Sequence, residues 1–360
     1  MKADEERPSR APWLSEERDA HVLGLLRVVF AALMFLLVIK EWREYRVDFF
    51  GESFHMSLLP ECLVPSRAVY LAVLGFQALC SLAALLGWWA RPALALAALG
   101  GLYGMFGDRL HYHNNRYELL LLALLVSVTP CDRSFLALGK ARPGAAPRWS
   151  TRLVAAQLSL VYLASSLGKL FDADWRSGAV LLPRFATARP FVEHQLFPGL
   201  MTLLTAPWFA HVASLGAIGS ELFLALGPWF RRTRVLALWL GVMFHIGIEL
   251  AAHVELFSYT MLGGYLVFVT PELRLRRASW NARGVAGNQC ATLCRRLDIL
   301  ARFEQREAVE QAELLVVRDA EQHTHRGLAA WRELARATPL LFPLWLPLRL
   351  VTWREREKRA

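Results

Sequence analysis

The feature that most constrains this chain is the spacing of its charges. They cluster in short intervals, and between them run stretches of about 15–24 residues with almost none. A helix rises 1.5 Å per residue, so such a stretch crosses a hydrocarbon core of ~30 Å. Segments of this kind lie at 22–40, 68–89, 92–107, 117–130, 152–170, 207–230, 235–252 and 254–270. The expected fold is therefore all-α, a polytopic transmembrane bundle of about eight helices. Short polar links, Trp88 to Pro92 and Arg231 to Arg234, make their flanking helices antiparallel neighbours.

Of the 360 residues, 55% are hydrophobic although 20% are charged. The net charge of +10 would suggest a nucleic-acid partner in a soluble protein. Here the arginines flank apolar segments, as membrane proteins place them. No basic run is interleaved with aromatics, so the expected partner is membrane lipid and not nucleic acid. The first twenty residues are polar, and the first apolar helix reads as an uncleaved anchor. Basic residues concentrate at Arg91, in the 131–151 loop (Arg133, Lys140, Arg142, Arg148) and at Arg231, Arg232 and Arg234. The positive-inside rule then puts these links and both termini in the cytoplasm.

Three regions follow: a polar tail at 1–20, a transmembrane domain at 21–272 and a small cytoplasmic appendage at 273–360, α/β or helical. In the last region, 338–351 (TPLLFPLWLPLRLV) is apolar but short and holds three prolines. It reads as an interfacial or packed segment, not as a further span.

Ionisable groups inside spans are costly, which makes each a candidate for function. Lys169 closes the fifth segment. It is either a lysine snorkelling to the interface or a buried, neutral amine acting as a general base. Asp172 and Asp174 oppose the second state unless they face water. His245, Glu249 and His253 repeat at i, i+4 and i+8 on one helix face. Such a stripe pairs helices, lines a site or binds metal. Glu221 in the sixth segment is a packing acid or a site carboxylate. His111, His113, Asn114, Asn115 and Arg116 precede the fourth segment, either as solvated loop residues or converging with Lys169 on one outer site. The histidines lack the closely spaced clusters of membrane metal oxygenases, so no metal is expected.

Four strings then carry a resemblance: HNNRYELLLLALL (113–125), VYLASSLGKLFDADWRSG (161–178), SELFLALGPWFRRTR (220–234) and FHIGIELAAHVELFSYTML (244–262). In this order and spacing they resemble the HTTM membrane family, including vitamin K-dependent γ-glutamyl carboxylases. The resemblance implies that Lys169 is the base that deprotonates a reduced, vitamin K-like quinone. Oxygen then converts the quinone to a strong base, and carboxylation or a related oxygenation of a peptide or small-molecule acid follows. It also implies a site lined by Asn114, Asn115, Arg116, Tyr162 and Trp175, together with Glu221, His245, Glu249 and Tyr259. The chain departs from the carboxylase pattern at Arg116, where a histidine follows Asn-Asn, at Gly168, where a second lysine stands, and at the inserted Phe171. No counterpart of the propeptide-capturing domain is expected. The alternative is a non-catalytic quinone- or lipid-binding membrane module that partners a redox protein. A bacterial inner membrane is the expected location.

The strings VAGNQCATLCRRLDILARF (285–303) and LLVVRDAEQHTHRGLAAWRELARATPLLFPLWLPL (314–348) resemble a degenerate DCC thiol–disulfide domain. That resemblance makes Cys290 and Cys294 a redox pair, one residue wider than usual. A thiolate at a helix start has a lowered pKa, and a cytoplasmic location keeps the pair reduced.

Overall fold

The computed structural model describes residues 15–44, 57–107, 112–134, 144–187, 200–252, 254–268, 276–281, 285–298, 303–308, 314–319 and 322–357. His111 and His253 lie outside them. The chain forms two compact units: Met1–Ile218 with His245–Val267, and Gly219–Phe244 with Phe268–Ala360.

In the first unit a short strand, β1 (Glu17–Asp19), leads into α1 (His21–Glu44). Helices α2 (Arg67–Leu86), α3 (Ala90–Gly107) and α4 (Asn114–Ser127) follow. Strand β2 (Ala145–Pro147) pairs antiparallel with β1. It precedes α5 (Trp149–Phe171) and the short helices α6 (Ala173–Ser177), α7 (Leu181–Thr187) and α8 (Leu200–Leu204). Helices α9 (Pro207–Leu226) and α10 (Arg231–Ala252) each contribute residues to both units. Helix α11 (Phe257–Gly264) continues as a 3-10 turn to Phe268.

Each apolar segment read from the sequence contains a helix among the described residues. Among those residues, four helical stretches are long and apolar enough to cross a membrane: His21–Arg43, Arg67–Leu86, Trp149–Phe171 and Pro207–Trp229. The stretch Phe257–Phe268 is apolar but short, about 18 Å against a ~30 Å core. Of the four, the first is the most deeply buried, and the others turn apolar faces outward. Leu79 is 68% exposed and Leu160 58% exposed. Water would penalise such surfaces and hydrocarbon does not.

Local chemistry sets the helix ends. The Ser66 hydroxyl accepts from Val69 N and starts α2, and Gly87, at φ 82°, ends it in the left-handed conformation that favours glycine. Arg91 donates to the carbonyls of Ser127 and Val128, at 3.1 Å each, and satisfies the end of α4. Arg27, fully buried in α1, donates to the Cys131 carbonyl. Glu118 of α4 accepts from Gln157 of α5 at 3.3 Å.

Two adjacent glycines bring α11 close to its neighbours. A Cβ on Gly263 would lie 2.7 Å from Val29 Cγ1 of α1, and one on Gly264 would lie 2.8 Å from Leu158 Cδ2 of α5. Small residues allow this approach, as in membrane helix packing generally.

The second unit contains a four-stranded sheet of order β4-β3-β5-β6. Strand β3 (Arg276–Asn281), helix α12 (Val285–Leu297) and strand β4 (Phe303–Ala308) form a βαβ half with parallel strands. Strands β5 (Leu315–Arg318) and β6 (Thr324–Arg326) and helix α13 (Leu328–Ala337) form a ββα half. Strand β5 runs antiparallel to both β3 and β6. Ala278, Phe303, Leu315, Val317 and Leu334 share one core with Cys294. A 3-10 stretch, Pro339–Leu344, then enters α14 (Trp345–Glu357).

Replacing Gly264 by valine forces Leu158 aside and lowers stability by ~1–3 kcal/mol. Adding Leu158→Ala recovers part of the loss, as a double-mutant comparison of thermal unfolding in detergent will report.

Candidate functional site

Helix α5 carries the centre of the candidate site. Tyr162, Ser165, Ser166 and Lys169 fall at i, i+3, i+4 and i+7, so they line one helix face. About 10 Å of helix separates Tyr162 from Lys169. At the inner end Tyr162 is buried, and its hydroxyl hydrogen-bonds to His245 Nε2 at 2.6 Å. The same hydroxyl is also hydrogen-bonded to the Tyr265 hydroxyl. His245 and Tyr265 are buried as well. Phe257 packs edge-on against the imidazole at 5.6 Å, and Ser258 Oγ donates to the His245 carbonyl at 3.5 Å. One turn along α10 lies half-buried Glu249. Its Oε2 is enclosed without a hydrogen-bond partner among the described residues.

At the outer end of the stripe Lys169 is half-buried. Its Nζ donates to Ser165 Oγ at 2.7 Å and sits 4.9 Å from the centre of the Trp175 ring. The Arg184 guanidinium also approaches that ring, at 5.5 Å. Asp172 Oδ1 accepts from Asp174 N and Trp175 N and starts α6. Asp172 and Asp174 are both exposed. Gly178, at φ 84°, closes α6 so tightly that a Cβ would lie 2.5 Å from His211 N. Ser214 Oγ donates to the Trp175 carbonyl, so α9 fixes the turn that carries the indole.

A third group sits where α1, α4 and the α10–α11 connection meet. Arg116 pairs with Glu255 at 3.3 Å and with Glu41 at 3.6 Å, and Lys40 also pairs with Glu255. Asn115 Nδ2 donates to the Val254 carbonyl at 3.2 Å. His113 Nδ1 accepts from Asn115 N at 3.3 Å and starts α4, while Asn114 is exposed. Glu255 has φ 55°, a left-handed conformation uncommon for a non-glycine residue.

Tyr162 and His245 thus meet directly, Lys169 and Trp175 meet at the other end of the same stripe, and Asn115 and Arg116 belong to the ion cluster. Tyr259 is 51% exposed, while its neighbour Ser258 faces His245. Glu221 is buried in the part of α9 that belongs to the second unit.

Sequence reasoning missed Tyr265, Lys40, Glu41, Glu255 and Ser165. A tyrosine in an apolar segment needs a hydroxyl partner when buried, and that was the available signal for Tyr265. Ser165 stands four residues before Lys169, one helical turn away.

In the second unit Cys290 and Cys294 are the sixth and tenth residues of α12, one turn apart and inside the helix, not at its start. Burial, with smaller contributions from Cys290 and Asp298, pushes the Cys294 thiol up to about 11. This is the reverse of the lowering expected from a helix-start position, because the α12 face carrying Cys294 packs into the sheet core.

Apolar helices with outward apolar faces, and polar side chains paired within the bundle, define a helical integral membrane protein. The model of the HTTM domain matches residues 15–273. The chain belongs to the HTTM domain family. No solved structure matches the chain.

Tyr162→Phe removes the hydroxyl that bonds to both His245 and Tyr265 among buried groups. It is expected to lower stability by ~1–3 kcal/mol in thermal unfolding. In the second unit, iodoacetamide at neutral pH alkylates Cys290 faster than Cys294, as peptide mapping of the native protein will show.

Proposed function

We propose that this protein binds a reduced quinone within its helix bundle and uses Lys169 as the base that starts carboxylation or a related oxygenation. One observation carries the reading: a single face of α5 joins a half-buried amine to the buried Tyr162–His245–Tyr265 cluster. The residues suit such a ligand. A quinol has an apolar ring and two opposed hydroxyls. The stripe offers polar atoms at both ends, and the enclosed Glu249 oxygen is a further acceptor near His245. When bound, a reduced quinone supplies, with oxygen, the strong base that carbon-acid chemistry needs.

The protein's own contribution is positioning and proton movement. Lys169 accepts a proton at Nζ. The Trp175 face then stabilises the ammonium that results, and Ser165 keeps the amine aimed along the stripe. Tyr162 and His245 share a hydrogen-bonded proton between Oη and Nε2, which orients the inner end of a ligand and can pass a proton inward. Asn114, Arg116, Trp175 and Tyr259 remain site-lining in this reading, as the family resemblance implies. The substrate is a peptide or a small-molecule acid. The helices beyond the four long ones also cross the bilayer, which makes the chain a multi-pass protein of a bacterial inner membrane with both termini cytoplasmic.

A second reading has its own observation. Arg116, which stands where the carboxylases carry a histidine, is held in an ion cluster with Glu255 and Glu41. A residue so occupied serves structure and not proton transfer. This favours a non-catalytic quinone- or lipid-binding module that partners a redox protein.

Turnover of a reduced quinone under oxygen by the full chain in nanodiscs separates the two. Lys169→Ala is expected to lose at least ~10²-fold in rate while quinone still binds. Full activity of Lys169→Ala would remove the base assignment. Wild-type protein that binds quinone without turning it over would select the second reading.

A further inference from the structure

The end of the chain forms a helix that is apolar on two sides. The inner side of α14 and its lead-in is accounted for. Trp345 and Thr352 are buried, Arg332 of α13 donates to Thr352 Oγ1 at 3.3 Å, and Arg349 lies over the Trp345 ring at 5.3 Å. The outer side is different. Leu344, Pro347 and Val351 follow one another at helical spacing from the end of the 3-10 stretch into α14, Leu340 stands earlier in that stretch, and all four are exposed. Leu340 is 67% exposed, Leu344 53% and Val351 48%. Such a run of apolar side chains on a water-facing surface would be an aggregation hazard.

A contact within the same unit indicates what covers this stripe. Trp239 Nε1 of α10 donates to the Pro343 carbonyl at 2.9 Å. Helix α10 opens with exposed Arg231 and Arg232, the pattern of a headgroup-level turn, while buried Arg234 donates to the Pro228 and Trp229 carbonyls; an apolar run follows. Trp239 lies seven residues beyond Arg232 and eight beyond Arg231, so it sits about 10–12 Å further along the helix axis. Pro343 is therefore tied at a depth below the arginines close to the ~5–10 Å at which interfacial helices lie. The charges fit the same surface. Arg349 is followed by Arg354, Arg356, Lys358 and Arg359 against Glu355 and Glu357, a net basic end suited to anionic headgroups.

We infer that residues 339–352 are an interfacial membrane anchor, with the Leu340–Leu344–Pro347–Val351 stripe in the acyl chains of the leaflet that also receives the arginine turn of α10. The sheet of the second unit is thereby held at the membrane surface by the segment that follows it in the chain. This inference does not depend on the quinone reading.

Spin labels on the full chain test it. In a background with Cys62, Cys80 and Cys290 each replaced by serine, in nanodiscs of phosphatidylcholine and phosphatidylglycerol, labels are placed at Leu344→Cys and Val351→Cys. Leu160→Cys on the outer face of α5 is the lipid reference, and Thr324→Cys on β6 is the water reference. All four label positions are exposed, so the labels leave the core untouched. Power saturation is expected to give labels at 344 and 351 an oxygen-to-nickel accessibility ratio several-fold above that at 324 and in the direction of 160. Two results would overturn the inference. One is a water-like ratio at 344 and 351. The other is shielding from both reagents, which would mean that protein, such as a second copy of the chain, covers the stripe.

Discussion

The close seating of α11 on α1 and α5 is the contact from which the candidate site follows. Gly263 and Gly264 let the backbone approach Val29 and Leu158 at a distance that no side chain would permit. Tyr265 follows directly in the chain, and its hydroxyl is brought to Tyr162. Tyr162 in turn reaches His245 of α10. In a bilayer there is no water to satisfy a misplaced hydroxyl or imidazole. Once the glycines set the distance, the polar groups have to find each other. The packing and the hydrogen-bond cluster are thus one feature, and neither persists unchanged without the other.

The charged groups obey the same requirement at the bundle's edge. Glu255 adopts a left-handed backbone that ordinarily favours glycine, and it holds that shape while two cations, Lys40 and Arg116, engage its carboxylate. The cluster joins the end of α1, the start of α4 and the connection from α10 to α11. Because it is partly exposed, each pair alone contributes little. Its effect is to fix three chain segments that enclose one end of the bundle. Arg116 suits this task better than a histidine would, since a guanidinium stays charged and reaches two carboxylates at once.

What could be read from the sequence follows from the range of the physics involved. Helical segments were legible because charge spacing is local. The stripe from Tyr162 to Lys169 was legible in principle, since i+7 spacing on one helix fixes a common face. Tyr265, Glu255 and Lys40 were not, because their partners lie far away in the chain and only packing brings them together. For the shorter helices, such as Phe257–Phe268, apolarity was legible and helix length was not, because apolarity alone does not measure length. The thiols misled for a related reason. A two-cysteine spacing suggests a helix start, but α12 begins five residues before Cys290, and burial then raises the Cys294 thiol instead of activating it.

These features give α5 two ends of unequal character. At its inner end a neutral hydroxyl–imidazole pair tolerates enclosure, since neither group needs a charge to be satisfied. At its outer end a half-buried amine rests between a hydroxyl and an aromatic face. The α6 turn, capped by Asp172 and closed by Gly178 against α9, holds Trp175 in place beside that amine. The surroundings of Lys169 are therefore set as much by this five-residue helix as by α5 itself.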